Sequence, residues 1–295
     1  MADHRKITKA VIPAAGFGTR MLPATKALPK EMLPVAAKPL IQYAIEEAAA
    51  SGIETIILVT RSHKSVMQAH FSRDRDLESF LEGRQLTAAA ELVRKLAGFA
   101  DLRYVEQENP RGLAHAISCA RPLVGEERFV VLLPDVIVVA GEPATRQLIR
   151  AHERHGGSVV AIREIELHEI ERHGVVRVGD AAGAALHKSV RLTGLIEKPS
   201  LADAPSRFGV FGRYLLEPTI WDAIAKTDCD ARGEVQLTDA LDLLCRERPL
   251  YGFLFGGQHY DAGDRIGYLK ANIELTLRDL DLQDPLRGYL SQLVC

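Results

Sequence analysis

Residues 11–34 read VIPAAGFGTRMLPATKALPKEMLP. An apolar run stops at a turn holding Gly16 and Gly18, and Arg20, Lys26 and Lys30 follow among Pro23, Pro29 and Pro34. The turn is not a dinucleotide fingerprint. Met21 stands where a third glycine belongs, and no acidic residue closes the next strand. The G-x-x-x-x-G-K-[ST] pattern of a P-loop is absent as well. What remains is a turn whose backbone N–H groups can approach an anion, with the forked donors of Arg20 beside it. The glycines alone favour a plainer account, a structural turn with a surface arginine. Lys26, Lys30 and Glu31 shift that balance. The prolines hold the backbone in extended or turn conformations, so the cations do not form the solvated face of an amphipathic helix. A stiff cationic loop above a glycine turn suits a triphosphate, because its ordering entropy is lost in folding rather than on binding.

The elements that must position this loop alternate. Residues 9–15, 55–60, 101–107 and 128–135 read as near-continuous apolar strands, with helical patterns at 39–52 and 112–120 between them. Such alternation implies a parallel sheet covered on both faces, with ligands beyond the carboxyl ends of its strands. The loop, the turn after Gln107 and Asp135 all fall at such ends. Residues 74–98 are charged and helix-periodic, a surface excursion with no assigned chemistry. Beyond about residue 157 the runs GSVVAIREI, GVVRVG and KSVRLTGLIEKPS read as strands with antiparallel connections. Helices are expected at 218–226, 235–247 and about 264–278, with a strand at 250–255. Trp221, at helical spacing with Ile220 and Ile224, reads as core.

The 295 residues carry a formal net charge of −2, so no global basic field points to nucleic acid and any anion site must be local. Cys119, Cys229, Cys245 and Cys295 lie far apart without a CxxC pair, which disfavours a disulfide framework or a zinc site. Ten histidines are scattered without metal-ligand spacing. MADHRKITKA lacks the apolar core of a signal peptide, and no run of 18 apolar residues occurs. A cytoplasmic protein is expected.

The stretch GFGTRMLPATKALPKEMLP resembles the signature of bacterial UTP–glucose-1-phosphate uridylyltransferases, nucleotidyltransferases that act on sugar 1-phosphates. Related thymidylyl- and adenylyltransferases share only its G-x-G-T-R-[ML]-x-P core. The resemblance continues in order through KPLIQY (38–43), RGLAHAI (111–117), LPDVIV (133–138), HGVV (173–176), GLIEKP (194–199), GRYLL (212–216), GEVQLTDA (233–240) and YDAGDRIGY (260–268).

That resemblance implies an α/β fold, a Rossmann-like three-layer α/β/α arrangement on a mixed, mostly parallel sheet with a smaller sugar-binding lobe. It would be a single domain, with residues 1–156 as nucleotide half, 157–283 as sugar half and 284–295 as a helix available for oligomer contact. UTP and glucose 1-phosphate are the implied substrates, UDP-glucose and pyrophosphate the products, Mg²⁺ the cofactor, and a homodimer or homotetramer the assembly. Ala14, Ala15, Gly16, Gly18, Thr19, Glu31, Gln107 and Gly112 would bind the nucleotide. Arg20, Lys30 and Lys198 would act on the phosphates, Gly174, Glu197 and Lys198 on the sugar phosphate. Asp135 and Asp261 would hold the metal. Taken alone, Asp135 reads as a turn or cap residue, Asp264 as a helix cap, and Glu197-Lys198-Pro199 as an exposed charged turn. His115 is expected to pack under the loop. Arg213, Glu234, Gln236 and Asp239 are expected to serve structure through caps or ion pairs. One departure bears on base selectivity: the family's GLGHA is GLAHA here, so Ala114 replaces a glycine. Alanine is harmless there if the position is helical, and costly if it needs φ > 0. Direct displacement without a covalent intermediate follows, because the sugar phosphate is an ionised nucleophile that needs no base.

Overall fold

The computed structural model describes residues 6–61, 64–179 and 188–293. The first five residues and Cys295, used above, lie outside them. Thirteen strands are present among the described residues. They are β1 Lys9–Ala14, β2 Pro34–Val35, β3 Lys38–Pro39, β4 Thr55–Thr60, β5 Asp101–Glu106, β6 Phe129–Leu132 and β7 Val136–Val139, then β8 Ser158–Glu164, β9 Gly174–Val178, β10 Ser189–Glu197, β11 Phe208–Leu216, β12 Leu250–Leu254 and β13 Gln258–Asp261. Nine form one sheet in the order β5-β4-β1-β6-β11-β8-β12-β10-β9. β5, β4, β1 and β6 are parallel, with Lys9 opposite both Thr55 and Phe129. β11 then runs antiparallel to β6 and β8, β12 is parallel to β8, and β10 and β9 complete an antiparallel edge.

Alternate residues of each inner strand go to opposite faces, as the pleat requires. Ala10, Ile12, Ile56 and Leu58 pack with Ile41 and Ile45 of the helix Leu40–Ala50 and with Leu148 of the helix Ala144–His155. Val11, Ile57, Val59 and Val131 pack on the other face with Ala116 and Ile117 of the helix Leu113–Cys119 and with Leu241 and Leu244 of the helix Leu237–Glu247. Both faces are therefore apolar, which is why these strands read as continuous hydrophobic runs. Trp221 is buried and stacks on Phe129 with centroids 4.9 Å apart.

β11 has no counterpart among the elements expected from sequence, although it joins the two halves and is buried along nearly its whole length. Gly209 and Gly212 interrupt its apolar run. The register against β8 also breaks between Val210 and Tyr214, with Gly212 at φ +53°. Glycine inside a strand weakens the local signal, and here it marks a bulge. The helix Ala144–His155 and the strands β7 and β13 are likewise additional to the expected set. Residues 74–98 form two helices, Arg75–Gly83 and Thr87–Leu96. Among the described residues no helix is long and apolar enough to cross a membrane.

Candidate active site

The carboxyl ends of β1, β4, β5 and β6 deliver the Gly16–Gly18 turn, Arg61, Gln107 and the Leu133–Asp135 turn to one edge of the sheet. Gly18 sits at φ +63°, and its carbonyl accepts from Thr25 Oγ1 at 2.8 Å and from Met21 N at 2.9 Å. A Cβ there would lie 3.0 Å from Thr25 Cγ2 and 3.1 Å from the Lys30 Cβ, so conformation and space both require glycine. The proline-rich loop forms three short 3₁₀ turns, Thr19–Met21, Ala24–Lys26 and Lys30–Met32. The helix Arg265–Thr276 straps it down. Arg265 donates to the carbonyls of Arg20 and Leu22 at 3.1 and 2.8 Å, and Tyr268 Oη donates to Pro34 O at 2.6 Å.

Three cavities open at this edge, and two of them adjoin. One, of about 500 Å³, is lined by Ala15, Gly16, Thr19, Lys30, Glu31, Gln107 and Gly112. The other, of about 330 Å³, is lined by Arg20, Arg172, Gly174, Glu197, Lys198, Thr238 and Asp261. Leu113, Leu133, Asp135 and Glu234 line both, so the cavities meet at Asp135. Of the residues singled out from sequence, Ala14 is buried at the end of β1 and lines the third cavity, of about 240 Å³, with Gly16, Thr60 and Arg61, and Gly18 shapes the loop without lining the other two.

At the junction, Lys30 Nζ is 2.7 Å from Asp135 Oδ2. A Cβ on Gly263 would stand 2.9 Å from Asp261 Oδ1 and 3.2 Å from Asp135 Oδ2, so both carboxylates converge above that glycine. Asp261 Oδ1 also accepts from Gly263 N at 2.8 Å. Two converging carboxylates suit a hard divalent cation that takes its remaining ligands from phosphates and water. Asp264, by contrast, caps the helix Arg265–Thr276, its Oδ1 accepting from Gly267 N at 2.8 Å.

Gly112 sits at φ +94°, where a Cβ would fall 2.5 Å from Val235 O. Ala114 is fully buried in the first helical turn and donates its N–H to Val235 O at 3.1 Å. Its methyl group belongs to the core rather than to either cavity, so the helical alternative holds. In the second cavity Glu197 Oε1 is 2.8 Å from Lys198 Nζ, and Glu197 Oε2 accepts from Thr238 Oγ1 at 2.7 Å. A Cβ on Gly174 would strike that Thr238 oxygen at 2.8 Å.

Residues 9–277 match the model of the nucleotidyl transferase family. The chain belongs to that family. It is 43% identical over 289 residues to "UTP--glucose-1-phosphate uridylyltransferase 2" of Staphylococcus saprophyticus, covering 98% of this chain and 99% of that one. Among solved structures it is similar to a UTP-bound UGPase from Acinetobacter baumannii, with TM-score 0.89, 34% identity and coverage of 98% and 100%. It is also similar to a UDP-glucose pyrophosphorylase complexed with UDP-glucose, with TM-score 0.83, 34% identity and coverage of 92% and 100%.

The electrostatics of this nucleotidyl transferase centre on Lys30. Burial works against its charge, but Asp135, Glu31 and Asp261 outweigh it and hold the ammonium protonated well above the usual lysine range. Burial likewise opposes the charge of Asp135, and Lys30 overcomes it, keeping that carboxyl below its usual range. Asp261 is raised by burial and then by Asp135. Glu31 is 1% exposed, its Oε2 has no hydrogen-bond partner, and burial pushes it up to about 7. The folded chain therefore holds a proton that the unfolded chain releases near pH 4.5. The resulting penalty is absent below about pH 4.5 and grows to about 3 kcal/mol by pH 7, by linkage. Glu31→Gln should accordingly gain stability relative to wild type as pH rises from 5 to 8. Denaturant melts at the two pH values check this, and an equal difference at both would refute it.

Arg213 and Gln236, which lie in the family motifs, and Glu47 and Arg172, which lie outside them, also position the site. Arg213, on β11, is 1% exposed and donates to Glu47 Oε1 and Oε2, Leu133 O, Gly212 O and Val136 O. It thereby clamps the carbonyls on either side of Pro134 and Asp135. Glu47 in turn accepts from Thr145 N and Oγ1 at 3.0 and 2.6 Å. Gln236 Nε2 donates to Asp230 and Glu234, both at 3.0 Å. Arg172, whose guanidinium pairs with Asp264 and lies 4.0 Å from Asp261, adds a cation to the second cavity.

Proposed function

We propose that the enzyme transfers a uridylyl group from UTP to α-D-glucose 1-phosphate, giving UDP-glucose and pyrophosphate. The observation that carries this reading is the pair of cavities meeting at Asp135, one with a glutamine amide for a base and the other with Glu197 and Lys198 for a sugar phosphate. The two similar solved structures, one UTP-bound and one complexed with UDP-glucose, support it.

A phosphate oxygen of the sugar phosphate forms the new bond to the α-phosphorus, and the bond to the bridging oxygen of the departing pyrophosphate breaks. The nucleophile is ionised at neutral pH, so no base or covalent intermediate is needed. The barrier is the approach of two polyanions, and positioning with charge neutralisation lowers it. Arg20, Lys30 and the Gly16–Thr19 backbone neutralise and orient the triphosphate. Lys198 aligns the attacking phosphate, and Glu197 accepts from sugar hydroxyls. Asp135 and Asp261 would hold Mg²⁺, which when bound supplies charge neutralisation on the α-phosphate. The family resemblance also supports a cytoplasmic homo-oligomer whose halves, 1–156 and 157–283, take nucleotide and sugar.

Pyrophosphate release with Mg²⁺, glucose 1-phosphate and each of UTP, dTTP, ATP and GTP tests the reaction. Release with UTP alone is expected. Comparable release with dTTP would move the enzyme to a broader-specificity class, and no release with any triphosphate would overturn the reading.

A further inference from the structure

The larger cavity contains a glutamine whose amide is held by one end. Gln107 is 3% exposed, and its backbone N–H donates to Thr60 O at 2.9 Å, at the end of β4. Its side-chain Nε2 lies 2.7 Å from His115 Nδ1 and 3.4 Å from Gly112 O. A carbonyl oxygen only accepts, so Gly112 selects the NH₂ end of the amide. Nδ1 must then accept too, which puts the ring proton on Nε2. The opposite amide orientation would set two oxygens against each other and require Nδ1 to donate. Burial, and then Arg111, hold His115 below the usual histidine range, so the neutral acceptor persists at neutral pH. Gly112 is itself locked by its φ of +94° and its contact with Val235, so its carbonyl is a fixed reference. Gln107 Oε1 has no partner among the described residues and is left for the cavity that Gln107 lines.

We infer that His115 is a positioning residue that, together with the Gly112 carbonyl, holds the Gln107 amide in the orientation that reads uracil and refuses cytosine. The inference rests on the uridylyl reading above. Uracil presents an N3–H donor, which Oε1 accepts. Cytosine presents a lone pair at N3, which meets Oε1 oxygen to lone pair. An amide free to turn would serve either base, since glutamine offers a donor and an acceptor. Thymine has the same N3–H as uracil, so His115 has no part in choosing between those two.

The test is kcat/KM with UTP, CTP and dTTP, using glucose 1-phosphate as acceptor. In His115→Leu the UTP-over-CTP ratio should fall by about tenfold or more, the scale of one directed buried hydrogen bond. The UTP-over-dTTP ratio should not move. His115→Glu, whose ionised carboxylate offers only acceptors, should keep the UTP-over-CTP ratio at a pH where that carboxylate is ionised. The added charge cancels there because both triphosphates carry the same charge. A leucine variant with the full wild-type ratio, or a glutamate variant that loses it equally, overturns the inference. Nitrogen NMR of the unaltered protein gives an answer that does not depend on any variant folding. An Nε2–H tautomer supports the proposal, and an Nδ1–H tautomer or an imidazolium at neutral pH refutes it. Wild-type enzyme that turns over CTP as well as UTP would instead show that the uracil reading itself had failed.

Discussion

Lys198→Ala is expected to slow pyrophosphate release about a hundred- to a thousandfold with the melting temperature unchanged, the typical cost of deleting one preorganised charge at a reacting centre. Lys198 follows β10 at φ +45°, a conformation that lysine and alanine find equally strained. Its N–H donates to His173 O at 3.1 Å in either case. The side chain is 40% exposed, and its recorded ion pair is with the neighbouring Glu197, so the fold depends on it little. Arg20→Ala should behave in the same way. Its backbone carbonyl, not its guanidinium, is what Arg265 holds. Steady-state kinetics beside thermal melts check both, and near-normal turnover in the two variants would remove the phosphate roles assigned to them.

Arg213→Met is expected to destabilise the protein by about 3–5 kcal/mol, the usual result of leaving one member of a buried ion pair alone. Buried pairs can often be replaced together by apolar residues without loss. Here that rescue should fail. Arg213 also serves Leu133 O, Gly212 O and Val136 O, and Glu47 also serves Thr145, so the double variant Glu47→Leu/Arg213→Met removes five further hydrogen bonds, including both that Glu47 makes to Thr145. Denaturant unfolding of single and double variants measures this directly. A double variant as stable as wild type would show that the clamp on the Asp135 turn is dispensable.

Much of the nucleotide half was legible because local rules and tertiary demands coincide there. The strand at 55–60 carries an apolar run bounded by turn signals, and parallel pairing with both faces covered needs nothing more, whereas the edge strand at 101–106 alternates exposed and half-buried residues. Gly18 was legible because glycines in a turn after a strand signal a backbone conformation that other residues resist, whereas Gly112 was reached only through the family motif RGLAHAI. β11 was not legible. Its two glycines lower the strand signal, and its place between β6 and β8 depends on partners far away in sequence.

What the sequence alone determined, then, is the inventory: the stiff cationic loop, the alternating strands, the acidic residues after β6 and at the end of β13, and the family motifs that tie them together. Only the tertiary structure decided which of these meet. The convergence of Asp135 and Asp261 over Gly263, the clamp of Arg213 on the turn between β6 and β7, and the hold of His115 on Gln107 each join residues or elements through space. Such contacts depend on side-chain direction and burial, and those are set when a nine-stranded sheet closes around its core. A pattern of spacing along one chain carries no term for them.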